Sequence, residues 1–557
     1  MPMIVKNKNR LKTGQLVCLL VALALVLPCI WGANTAEAKN NIVRIGWMES
    51  PPGGMNPFLV RNEGSYLFMT LMYEPLLMPM MDGTITPWLA KKWEYKPADK
   101  TWLFYLDERA KWSDGKPVTA DDVKFTFETA FKYNFPLGSR SKAIIDTISV
   151  VNAKTVAFKV KQEFAAFLNI AGSTLIMPKH IWEKMEKVDQ YENPNPVGSG
   201  PFLFKKYEPR AYMHVVRDPK YWRGPAKIDG VVIQVYSNQE AQVVALKKGE
   251  LDIIPDLSGG ETLIPPLVGD SNVKVMIDRW PHILYIAVNH RIAPLNNKEF
   301  RKAIDIAIDK KEVILTALAG YGELPLMGYV PPLVTKWANP KVTWRGLQMT
   351  KEARLQEANA ILDKLGFPKG PDGVRLKADG KPLEFSVRCY SNASYVRASE
   401  LIKNDLEKVG IKLRVEVTDP ETLYGGIIYS GKRNMDWDLL VHGSTMDPDP
   451  DHFAREYAPE PPTPWENAPA FGWENEEIQS LLKQSRREMN EKKRMELLMK
   501  IQEKFADELV VITLGHRFHP AAYRTDKYVG WNPARIVYGG MFHPLASIIN
   551  LLSVRPK

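Results

Sequence analysis

The stretch Pro87 to Glu128, PWLAKKWEYKPADKTWLFYLDERAKWSDGKPVTADDVKFTFE, constrains the fold more than any other part of the chain. Trp88-Leu89-Ala90 is a short amphipathic segment, and Thr101-Trp102-Leu103-Phe104-Tyr105-Leu106 has the β-branched and aromatic content of a strand. Asp114-Gly115 supplies a turn, because glycine reaches positive φ without a Cβ clash and aspartate bonds its own backbone. Thr119-Ala120-Asp121-Asp122 then reads as a helix start. The Thr119 hydroxyl is placed to accept from the first turn, and two carboxylates sit at the positive end of the helix dipole. Val123, Phe125, Phe127 and Ala130 supply its core-facing flank.

The order of residues says more than the parts. Leu89-Ala90 with Trp93-Glu94, the apolar strand, Lys111-Trp112-Ser113-Asp114-Gly115-Lys116-Pro117 and Thr119 to Val123 together closely resemble the signature of the family 5 bacterial extracellular solute-binding proteins. That family comprises peptide, nickel and related receptors of ABC importers. Asn56-Pro57-Phe58, Asn195 to Phe202, Arg217 to Gly224, and Phe300-Arg301-Lys302-Ala303-Ile304 with Ile308-Asp309-Lys310 extend the resemblance. It thins between Gly320 and Gln348 and after Tyr538. It implies an α/β, periplasmic-binding-protein-like fold (type II, cluster C), in which two lobes joined by a hinge carry a small extra insert domain. The implied divisions are residues 39–82, 198–288 and 520–557 for lobe I, 83–197 for the insert domain with the signature, and 289–519 for lobe II.

Length agrees with such a division, since 557 residues exceed what one hydrophobic core organises. The amino terminus stands apart. Lys6, Lys8, Arg10 and Lys12 precede an apolar run from Leu16 to Leu27, and Ala36-Glu37-Ala38 offers a small-residue cleavage site, so residues 1–38 read as a secretory signal peptide. An uncleaved anchor is the alternative, although the run falls short of the roughly 20 residues a span needs. Pro28 before Cys29 argues against lipidation, and cleavage after Ala38 leaves Cys389 alone, which excludes an intramolecular disulfide. The expected location is therefore the periplasm. The formal charge is +10, of which +7 lies beyond residue 38 without a Lys/Arg-rich block, so nucleic acid is not an expected partner.

Several further elements are legible in order. Val43, Ile45 and Trp47 alternate as a first strand, which Pro51-Pro52-Gly53-Gly54 ends. ISVVN and TVAFKV form a hairpin about Ala153-Lys154. Val231 to Val235, the helix Glu240 to Lys248 closed by Gly249, and Leu251 to Ile254 make a strand, helix and strand unit of a wound α/β domain. Ile283 to Val288 reads as a strand, and Asn297 caps a helix whose apolar residues recur at three and four. Helices follow from Thr350 to Gly366 and from about Val396 to Val409. Trp437 to Val441 and Leu509 to Leu514 are strands, with two helices between Asn475 and Phe505.

For ligand chemistry the informative run is His442-Gly443-Ser444-Thr445-Met446-Asp447-Pro448-Asp449-Pro450-Asp451-His452-Phe453. An EF-hand would need glycine sixth and glutamate twelfth, where His452 and Ala458 stand, so calcium is not expected. The run resembles the family's strand-end motif. In peptide-binding members its first aspartate pairs with the ligand ammonium, and Asp447 occupies that position, with Ser444 where tryptophan is common. A desolvated carboxylate facing an amine makes a strong charge-assisted bond. The alternative is that Asp447 only shapes the turn. Candidate ligand residues are therefore Asp447, Ser444, Met446, Trp437 and Trp531; Trp88, Trp93, Trp102 and Trp112 read as core. His180 reads as structural, no metal site is expected, and no cofactor is expected.

The function this implies is capture of a small solute, foremost a di- or oligopeptide, by hinge closure and its delivery as a monomer to an ABC permease in the inner membrane. An oligosaccharide or other non-peptide solute on the same scaffold is the alternative, with a metal chelate below it. A secreted hydrolase would belong to another class. G-x-S-x-G, H-E-x-x-H and a Cys/His nucleophile set are all absent, whereas paired carboxylates for glycoside cleavage are a spatial matter that a linear sequence leaves open.

Overall fold

The computed structural model describes residues 40–48, 54–59, 63–325, 329–331, 333–334, 336–419, 436–458, 470–533 and 546–557. The leader read over residues 1–38, with Cys18 and Cys29, and the Pro51 to Gly53 turn lie outside them. Residues 42–557 form one compact unit. No helix among the described residues is long and apolar enough to cross a membrane.

The strands used below are β1 (Ile42–Trp47), β2 (Ala90–Lys96), β3 (Thr101–Leu106), β4 (Ile145–Asn152), β5 (Thr155–Val160), β6 (Phe202–Glu208), β7 (Tyr212–Arg217) and β8 (Gly230–Val235). They continue with β9 (Ile253–Ile254), β10 (Val273–Val288), β11 (Gly322–Glu323), β12 (Glu384–Tyr390), β13 (Lys412–Thr418), β14 (Leu439–Thr445) and β15 (Val511–Arg524). Eleven of them form one mixed sheet in the order β13-β12-β14-β10-β15-β9-β1-β8-β7-β6, with β11 added to β15. A separate four-stranded sheet runs β2-β3-β5-β4. The fold is thus the mixed α/β architecture that the sequence implies.

The signature stretch is built around one carboxylate. Asp122, in the first turn of α1 (Ala120–Tyr133), accepts from the Thr119 backbone N–H and hydroxyl at 2.8 and 3.0 Å, from Trp112 Nε1 at 3.3 Å and from the Lys179 N–H at 2.8 Å. Thr119 therefore donates its hydroxyl to Asp122. The tryptophan before the DG turn, the helix start and the backbone at Lys179 are tied through this buried side chain. Gly115 has φ 90°, the left-handed conformation its DG turn requires.

Two large apolar cores occupy different parts of the chain. One gathers Val43 to Ile253 with Ala521 to Val554, and the signature's Trp102, Phe104, Trp112 and Phe127 belong to it. The other spans Ile283 to Leu514, apart from Met81. Both β10 and β15 reach across: Met276, Ala521 and Tyr523 pack in the first core, whereas Ile283 to Val288 and Val511 to Leu514 lie in the second. Each is far longer than the apolar run that marks it in sequence. The strand expected at Ile283 to Val288 begins at Val273, and the one expected at Leu509 to Leu514 continues to Arg524. Flanking charges and Pro281 and Pro520 hide these extensions from a periodicity reading.

Candidate functional site

The antiparallel register of β10 and β15 is interrupted where the chain leaves one core for the other. Asp278 pairs with His519 and Arg279 with Phe518, then pairing resumes at Ile283 with His516. The omitted residues are Trp280-Pro281-His282, because proline has no N–H for the ladder. On the other edge, β14 runs antiparallel to β10, with His282 opposite Thr445, and the Met446 N–H donates to the Pro281 carbonyl at 2.7 Å.

A buried polar cluster collects at this break. Arg517 Nη2 donates to Glu261 Oε1 at 2.7 Å, both side chains being 4% exposed. The same Glu261 oxygen accepts from the Gly259 N–H at 3.0 Å, and Ser394 Oγ lies 3.5 Å from its other oxygen. Ser394 and Tyr395 sit in the first turn of α2 (Ala393–Lys408), capped by Asn392, whose side chain accepts from the Ser394 N–H. The guanidinium lies 5.8 Å over the Tyr395 ring, and the Tyr395 hydroxyl is 3.4 Å from His282 Nε2. Trp280 stacks on His282 with centroids 4.6 Å apart and meets His519 edge-on at 5.3 Å.

Electrostatics follow from burial. Desolvation pushes the His282 imidazole well below its ordinary range, and Arg517 lowers it further. The same desolvation takes His442 down to about 4, and its Nδ1 lies 2.6 Å from the Tyr390 hydroxyl. Both rings are therefore neutral at pH 7. Burial disfavours the Arg517 charge, but Tyr395, Glu261 and Asp256 outweigh it and the guanidinium stays charged. Trp280 Nε1, His282 Nδ1 and Arg517 Nε have no hydrogen-bond partner among the described residues. A buried donor left unmade costs on the order of 1–3 kcal/mol, so each of the three is a group that a ligand acceptor would relieve.

The expected site residues distribute unevenly about this break. Ser444 and Met446 lie on the strand end facing it; Met446 is wholly buried, and the Ser444 hydroxyl is 3.4 Å from His452 Nε2. Asp447 Oδ2 accepts from Arg455 Nη1 at 2.7 Å, and Arg455 Nη2 also donates to His452 Nδ1 at 2.6 Å. The other two aspartates of the run are likewise matched to arginines. Asp449 takes both Nη atoms of Arg494 at 2.7 and 2.6 Å, and Asp451 takes Arg486 at 2.7 and 3.3 Å. Trp437 lies beyond the far end of β14, 3% exposed, edge-on to Phe471, with its carbonyl accepting from Asn289. Trp531 packs on Tyr523 and Tyr528 in the first core. The structure does not bring these two tryptophans to the break.

Trp280, His282, Glu261, Tyr395 and Arg517 went unmarked in the sequence. A usable signal was present in HRFH, residues 516–519, where an arginine and two histidines continue an apolar strand. A separate cavity of about 290 Å³ lies beside Trp344, where the buried Lys310 ammonium is met by Asp305 at 2.6 Å. Among the described residues no group of three potential metal ligands assembles.

Comparison with known proteins accounts for this architecture. Residues 84–462 match the model of the bacterial extracellular solute-binding proteins, family 5 Middle. The oligopeptide-binding protein AppA of Bacillus subtilis is 27% identical over 363 residues, which are 62% of this chain and 63% of AppA, so under two thirds of that relative is spanned. The solved structure of B. subtilis AppA in complex with a nonapeptide superposes with a TM-score of 0.73 at 20% identity, covering 92% of this chain and 98% of that one. A periplasmic oligopeptide-binding protein of Thermotoga maritima with mannohexaose bound gives a TM-score of 0.71 at 25% identity, covering 93% and 99%.

Proposed function

This chain belongs to the bacterial extracellular solute-binding proteins, family 5, and from that premise we propose that it is the solute-capturing receptor of an ABC importer, with a di- or oligopeptide as its ligand. The observation that carries this reading is the pair of strands β10 and β15, which tie two separate cores together and break register where unpartnered N–H groups collect. Two cores joined by a pair of strands suit hinge motion, and ligand held at the joint biases an open and closed equilibrium that a permease can sense. Peptide backbones offer carbonyl acceptors to such donors, and wet pockets tolerate varied side chains.

In this reading the lobes are residues 39–82, 198–282 and 520–557 against 283–519, the boundary expected at 288 moving to 282 because Ile283 to Val288 pack in the second core; the exported protein is a monomer in the periplasm, and it releases its solute unchanged to the permease. The Thermotoga structure with mannohexaose supports a neutral oligosaccharide as the second reading. Calorimetry of the protein against mixed di- to pentapeptide pools and against neutral manno-oligosaccharides tests both. Heat with peptides supports the first; heat with saccharides alone supports the second; turnover of either by pure protein overturns both.

A further inference from the structure

Among the described residues about the break, the charges placed to read a peptide's ends are matched inside the protein. Asp447, in the position the family resemblance assigns to the ligand ammonium, is held by Arg455 at 2.7 Å, and Arg517 at the strand break is held by Glu261 at 2.7 Å. Asp449 and Asp451 each carry their own arginine at 2.6 and 2.7 Å. The cluster still offers hydrogen-bond donors: Trp280 Nε1, Arg517 Nε and, in the tautomer whose Nε2 accepts from Tyr395, His282 Nδ1. A terminal carboxylate brought here would meet a guanidinium already neutralised, with the Asp256 carboxylate 3.7 Å from His519 beside it. An ammonium would meet Asp447 with its counter-ion in place. A neutral carbonyl oxygen meets neither obstacle, because it fills an N–H without adding a charge to a desolvated pocket.

Resting on the peptide-receptor reading, we propose that this protein binds the uncharged backbone of an oligopeptide, with amide carbonyls seated against Trp280, His282 and Arg517, and that it does not select for free peptide termini. The Asp447–Arg455 pair is the device that removes terminus selection. Arg455 also holds His452 and so fixes Asp447 in its turn. The pair thus substitutes an internal cation for the ligand's own.

The test uses one mixed-sequence pentapeptide pool prepared in four forms: free, N-acetylated, C-amidated and doubly blocked. Competition calorimetry with the full protein is expected to give affinities within about threefold across the forms. A loss of about tenfold or more on blocking either end overturns the proposal while leaving the peptide reading intact, since an ammonium or carboxylate pair is of that size. Heat with no form at all overturns the peptide reading and the proposal together. Arg455→Gln provides a readout that a merely structural role would not move: taking this cation away from Asp447 is expected to shift the acetylated-to-free affinity ratio by about fivefold or more toward the free amine. An unchanged ratio in that variant, with native far-ultraviolet circular dichroism, overturns the role assigned to the pair.

Discussion

Asp447 and Arg455 face each other at 2.7 Å across the end of β14 and the helix Asp451–Tyr457, and both side chains are largely withdrawn from water. The pair converts a strand-end carboxylate into a component of the scaffold, alongside Asp449 with Arg494 and Asp451 with Arg486. Charge matching in this run ties the second core's helices to the strand that faces the break in β10.

The Glu261–Arg517 pair is buried on both sides, so removing one partner strands the other. Glu261→Ala is expected to lower unfolding free energy by about 3–5 kcal/mol in urea titration. Glu261→Leu with Arg517→Met together should cost clearly less than the two single changes summed. Strict additivity would mean that the two charges do not depend on each other.

Glu74 is buried, its carboxylate accepting from the Tyr221 hydroxyl at 2.5 Å and Trp222 Nε1 at 2.9 Å, and burial pushes its pKa up from 4.5 to about 7 despite these donors. The native state therefore holds this proton more tightly than the unfolded chain. Its stabilising contribution is complete below pH 4.5 and declines as pH rises to about 7, by on the order of 3 kcal/mol. Glu74→Gln should flatten that part of the pH–stability profile. An unchanged slope would show that the group ionises normally.

Gly443 leaves room for the cluster at the break. A Cβ there would collide with the His282 ring and the Tyr395 hydroxyl. Gly443→Ala is expected to cost about 1–3 kcal/mol of stability and to weaken binding of the peptide pool, both read from one thermal-shift series. Gly115→Ala, which meets no neighbour, should leave binding unchanged although its φ of 90° strains the turn.

Trp280 and Trp437 should separate cleanly. Trp437 is 3% exposed in the second core, so Trp437→Ala should destabilise by about 3–5 kcal/mol with affinity per folded molecule unchanged. Trp280→Ala removes an unpartnered indole N–H beside His282 and should weaken binding of the peptide pool by about 1–2 kcal/mol with a smaller stability loss. Equal effects on both quantities in both variants would remove the break from the ligand site.

Much of the scaffold is legible from residues close in sequence. The helix Lys298–Ala307 caps on Asn297 through its own first turn, Gly249 ends its helix at φ 77°, and the hairpin of β4 and β5 pairs neighbouring segments. Chain ends of elements are less so: α2 starts at Ala393, ahead of the expected Val396, because Asn392 caps it and no apolar periodicity announces that turn. The site is legible only in part. Ser444 and Met446 were marked by a local motif, but Glu261, His282, Tyr395 and Arg517 come from four separated segments, and none carries a spacing that betrays the others.

What the sequence determined alone is the class of architecture and the family, because a strand, a DG turn and a capped helix are set by contacts within a few residues. What only the tertiary structure decided is which charges are spent internally and which N–H groups are left unpartnered. Pairing of Arg517 with Glu261, 256 residues apart, depends on where β10 and β15 lose register. That position is a balance between a proline that cannot join the ladder and two cores that pull the strands in opposite directions, and such a balance exists only once both cores have formed.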